Sequence, residues 1–78
     1  MASYYFDLYN DVVTIGEEAW EFPDLAAARD AAILQIRALA AHSVQEHGHL
    51  ILSHKLVIRD ESGEVALITV GEAIAVRD

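Results

Sequence analysis

The chain has no cysteine, a single proline and only five basic residues against thirteen acidic ones. Without cysteine there can be no disulfide and no thiolate metal site, and the absence fits a reducing compartment. Arg29, Arg37, Lys55, Arg59 and Arg77 are scattered and form no patch. Phosphate neutralisation needs such a patch, so nucleic acids and anionic membranes are disfavoured as partners. No apolar run approaches the ~18 residues that a membrane span requires. The opening "MASYYFDLYND" has neither the basic n-region nor the apolar stretch of a signal peptide. The expected compartment is the cytoplasm. The formal net charge of −8 is read first as a solubility device.

What is present is apolar. Hydrophobic residues make up 54% of 78 positions, which points to a folded chain rather than a disordered one. The length fits one domain, residues 1–78. A domain of this size buries only about 60–65% of its unfolded surface, so its stability is marginal without help. With disulfides excluded, that help is oligomerisation or a His/carboxylate metal site.

"SYYFDLY" alternates as a strand, with Tyr4, Phe6 and Leu8 toward the core and Tyr5, Asp7 and Tyr9 on the other face. "YND" turns the chain, since Asn and Asp side chains bond their own backbone. Val13 to Ile15 reads as a strand extension or short arm, and Ala19 to Phe22 as the second strand. Pro23 ends that ladder and Asp24 is an N-cap. An alanine- and leucine-rich helix follows over about residues 25–47, some 34 Å long, with Gly48 as its left-handed C′ residue. Leu25, Ala32, Ile33, Ile36, Leu39 and Ala40 share the face expected to meet the sheet. The opposite stripe of Ala27, Ala31, Leu34, Ala38 and Ala41 lacks the Glu and Lys of an ordinary surface helix. It is either a wet face of cheap helix formers or a self-association surface.

Leu50 to Asp60 reads as a third strand, with Lys55, Val57 and Arg59 facing away from Leu56 and Ile58. "DESG" (Asp60 to Gly63) is a hairpin turn, and Val65 to Val70 is a last strand, apolar on both faces as a central strand would be. "GEAIAVRD" is a short helical turn or a final extension. The expected fold is α+β, with order β-β-α-β-β. A four-stranded antiparallel or mixed sheet carries one long helix across one face. The first and last strands, being the most apolar, should lie centrally. The other face should expose Tyr5, Tyr9, Val57 and Ile68, enough to call for a covering partner.

Together, "YYFDLYND", "EEAWEFPDLAAARDAA" and "IRDESGEVALITV" resemble a family of short bacterial proteins catalogued as a domain of unknown function. The resemblance spans nearly the whole chain and implies the same α+β fold. Asn10-Asp11 stands where the family usually has Asp-Gly, Ala19 where it has Gly, and Asp7 where it often has His. The family has no established activity, so the resemblance implies no catalytic residue.

All four histidines fall within "HSVQEHGHLILSH". Cations are favoured at a helix C-terminus, which accounts for His42 and His47 without any function. His42, Glu46, His47 and His49 are the candidate metal ligands, though the i, i+4 His spacing of helical zinc sites is missing. His54 reads as a partly buried strand residue. Glu17, Glu18, Glu21 and Asp24 match no calcium loop and read as a solvated charged edge. No nucleophile elbow or glycine-rich phosphate loop is present. A domain this small rarely encloses the cleft of about 300 Å³ that a substrate needs. The reading leans away from an enzyme and names no cofactor. It favours a non-enzymatic interaction or regulatory module, a homo-oligomer using the helix stripe with Tyr5 and Tyr9 as a second surface. The alternatives are a His/carboxylate metal or small-molecule binder, and an antitoxin-like acidic partner of a basic protein.

Overall fold

The computed structural model describes residues 1–10 and 12–75 of the chain. The elements run β1 (Ala2–Tyr9), β2 (Val13–Thr14), β3 (Trp20–Phe22), α1 (Leu25–His47), β4 (Lys55–Asp60), β5 (Gly63–Thr69) and α2 (Val70–Ala73). The helix has the expected bounds and caps. Asp24 Oδ1 accepts from the Ala27 N–H at 2.9 Å, and Gly48 takes φ 75° while its N–H caps the Val44 carbonyl. "GEAIAVRD" begins as a helical turn, opened by Thr69 Oγ1 accepting from the Glu72 N–H. Its last three residues lie outside the described part of the chain.

Among the described residues the sheet has five strands rather than four, and every pairing is antiparallel. The segment after β1 does not return as one strand. β2 pairs with the end of β1 at Leu8 and Tyr9, while β3 pairs with its start at Ala2 to Tyr4. Both lie on the same edge, and the chain between them leaves the ladder. The expected strand order is also corrected: the sheet runs β2-β1-β4-β5, with β1 and β4 central and β5 at the edge. The apolar outward face of β5 therefore belongs to an edge strand. β4 begins at Lys55, five residues later than expected, and Leu50 to His54 form a loop.

The core lies between α1 and one sheet face. Ala28, Ala32, Ile36 and Ala40 meet Tyr4, Leu56, Ile58 and Ile68. Three alanines in this row let the helix settle close to the sheet, and Ile36, Leu56, Ile58 and Ile68 fill the space between. Each such side chain contributes about 1.5–3 kcal/mol by leaving water. Ala28 joins the core row, while Leu39, expected on that face, is exposed. Ile68 is likewise in the core rather than on the open face. Phe22 joins the edge of the core by stacking on Phe6, with ring centroids 6.0 Å apart.

Register defines the opposite face. Tyr5 lies beside Arg59 and Glu64, Asp7 beside Val57 and Leu67, and Tyr9 beside Val13, Lys55 and Thr69. Directly opposed residues share a face, so these three rows are the side of the sheet that α1 does not cover.

Candidate functional site

Two constellations stand out, one on the open sheet face and one at the C-terminal end of α1. The first centres on Asp7. An aspartate on a strand face away from the helix should be wet, yet Asp7 is 2% exposed. Arg59 Nε donates to Asp7 Oδ2, and Arg59 Nη2 donates to Oδ1 at 3.0 Å. The Gly16 N–H donates to Oδ1 at 2.9 Å, and Arg59 Nη2 also donates to the Gly16 carbonyl at 3.0 Å. Burial pushes the Asp7 carboxyl up, but the Arg59 hydrogen bonds, the Gly16 N–H and the Arg59 charge together hold it below its ordinary value. Gly16 has no room for a side chain: a Cβ there would lie 2.2 Å from the Phe6 carbonyl oxygen.

Two cation–aromatic pairs flank this centre. The Arg59 guanidinium lies 5.1 Å from the Tyr5 ring centroid and Lys55 Nζ lies 5.3 Å from that of Tyr9. Val57, between them in the register, is 5% exposed rather than the open apolar residue expected from its face. Leu67 and Val13 remain uncovered on that face.

The second constellation is a pocket of about 330 Å³ between the last turns of α1, the loop from Gly48 to His54, the end of β1 and the start of α2. A cleft of substrate size is thus present where the chain length argued against one. Its floor is Leu8, Ile36, Leu39, Ile51 and Val70, and its polar groups are Asn10, Ser43 and all four histidines. Ser43 Oγ donates to the His49 carbonyl at 3.0 Å, and His49 Nδ1 lies 3.1 Å from the His47 carbonyl. The His47 and His49 rings stand 5.9 Å apart and tilted by 33°. His54 holds the far wall through its backbone, its carbonyl accepting from the Val70 N–H at 3.0 Å.

Of the expected metal ligands, His42, His47 and His49 line this pocket, but Glu46 does not. Among the described residues no three His, Asp or Glu side chains are gathered as a metal ion would need. On the helix stripe Leu34, Ala38 and Ala41 are exposed, while Ala27 and Ala31 are half-buried. Glu17, Glu18, Glu21 and Asp24 are all exposed. The Asp7–Arg59 pair is not legible in the sequence, although alternation turns each residue away from the core side of its own strand. Without register nothing indicated that they meet. The pocket's Leu8, Asn10, Ser43, Ile51 and Val70 carry no sequence signal, since four separate segments converge there.

These features define a two-layer α+β domain with one open sheet face and one histidine-rimmed pocket. The chain belongs to the family described as a domain of unknown function (DUF6894), whose model matches residues 3–71. No curated protein and no solved structure shows significant similarity to it. No helix among the described residues is long and apolar enough to cross a membrane.

Proposed function

We propose that the chain is a small non-enzymatic interaction module of the cytoplasm that pairs with a second copy of itself through the sheet face opposite α1. The observation that carries this reading is the uncovered face itself. Half-buried Tyr5 and Tyr9 lie on it with Leu67, 45% exposed in the row through its centre, while Val57 in the same row is already covered. Arg59 does not oppose such packing, because Asp7 neutralises its guanidinium, and Lys55 Nζ lies over the Tyr9 ring.

The edges support the face as the surface. β2 and β3 make an interrupted edge. On the far side the register shift opposite Ile58 and Arg59 leaves Val65 unpaired in β5, next to Glu64. Bulges and charges of this kind discourage edge-to-edge pairing. The helix stripe offers only one large apolar side chain, Leu34, 64% exposed, among alanines.

Light scattering after gel filtration tests the reading. The wild type is expected at twice the chain mass, Leu67→Glu at the chain mass, and Leu34→Glu unchanged from wild type. Dissociation by Leu34→Glu but not by Leu67→Glu would move the interface to the helix. A wild type that stays at the chain mass at high concentration would end the self-association reading.

A further inference from the structure

We propose that the pocket at the C-terminal end of α1 binds a small uncharged aromatic molecule carrying a hydroxyl or ring N–H group. The pocket's volume of about 330 Å³ is at the lower end of the range for small-molecule sites, enough for a one- or two-ring compound. Leu8, Ile36, Leu39 and Ile51 give it an apolar floor. Leu39 remains exposed although it sits beside the core face of the helix, and it lines the pocket along with Leu8.

The polar lining selects the ligand. Among the described residues it contains no Lys, Arg, Asp or Glu. A charged ligand would lose hydration there without gaining a counter-ion. An anion meets two further penalties, the negative end of α1's dipole and a chain of net charge −8. Among the described residues no three metal-ligating side chains are gathered there. What the lining does offer is imidazole, and a neutral imidazole presents one N–H donor and one nitrogen acceptor. Ser43 Oγ is engaged with the His49 carbonyl and one nitrogen of His49 lies against the His47 carbonyl. The rings of His42 and His47 and the outer nitrogen of His49 remain to meet a ligand's hydroxyl or ring N–H. The tilted His47 and His49 rings, 5.9 Å apart, also add aromatic surface to the lining.

Three probes of similar size and different charge test this: phenol, benzylamine and benzoate. Each is titrated into the ¹⁵N-labelled protein in one buffer, and the histidine ring resonances are followed. Phenol is expected to shift them saturably, with a dissociation constant on the order of millimolar for so small a ligand. Benzoate should bind about tenfold more weakly or not at all. His42→Ala and Leu39→Ala both change exposed side chains, so their amide spectra should report an intact fold. Each should weaken phenol by about fivefold or more. The proposal fails if phenol gives no saturable shift, if benzylamine or benzoate binds as well as phenol, or if both folded variants bind phenol like the wild type.

Discussion

Asp7 is the residue on which the open face turns. Its carboxylate is enclosed by Arg59, the Gly16 backbone and the side chains of the neighbouring strands, and its pKa lies below the ordinary carboxylate value of 3.8. A depressed carboxyl contributes stability that is present above the ordinary value and is lost as pH falls through the folded value. Asp7→Asn keeps the shape and can still accept from Gly16, but it leaves Arg59 without its ion partner. At neutral pH the variant should be less stable by about 1–3 kcal/mol, a range that reflects Arg59's partial exposure. Urea denaturation checks this at neutral pH and again below pH 3.8, where the gap between wild type and variant should narrow as the wild-type carboxyl takes up a proton. A gap that stays constant across that range would show that Asp7 acts through shape and not through charge.

The interrupted edge depends on Gly16. β2 and β3 hold opposite ends of β1, and between them the chain passes so close to Phe6 that a Cβ at Gly16 would lie 2.2 Å from a backbone oxygen. Backbone cannot swing aside as a flexible side chain can. Gly16→Ala should therefore cost about 1–3 kcal/mol and speed amide exchange in β2 and β3 more than in β4. Unchanged exchange at that edge would mean that the close approach is not what holds it. Gly16 also marks where sequence reasoning stopped. The helix was legible because its signals are local: Asp24, the run of alanines and Gly48 each act within one turn. The hairpin from Asp60 to Gly63 was legible for the same reason. The strand order was not, since apolarity on both faces suits a central strand and equally an edge strand whose outer face awaits a partner. The split of β2 from β3 was hidden because a glycine's close approach depends on a strand ten residues away. The pocket was half legible: its histidines cluster in sequence, but its floor comes from distant segments.

At the scale of the molecule the question is what stabilises so thin a domain. Its extents are 38 × 27 × 16 Å, the small dimension following from an alanine-lined helix laid on a single sheet. Four large side chains are fully buried: Ile36, Leu56, Ile58 and Ile68. A core of that size supplies little more than marginal stability. Disulfides are excluded by composition, and no group of metal ligands is assembled among the described residues. The association proposed above has a thermodynamic signature that a monomer cannot imitate. If folding is coupled to pairing through the open face, the stability of the pair rises by about 1.4 kcal/mol for each tenfold increase in protein concentration. The urea midpoint should therefore climb across a dilution series of the wild type and lie flat for Leu67→Glu, with EDTA moving neither. A midpoint indifferent to concentration but lowered by EDTA would reverse the assignment. The histidines would then be the support, held by a metal that draws His42, His47 and His49 together, and the open face would have to be explained by a different partner.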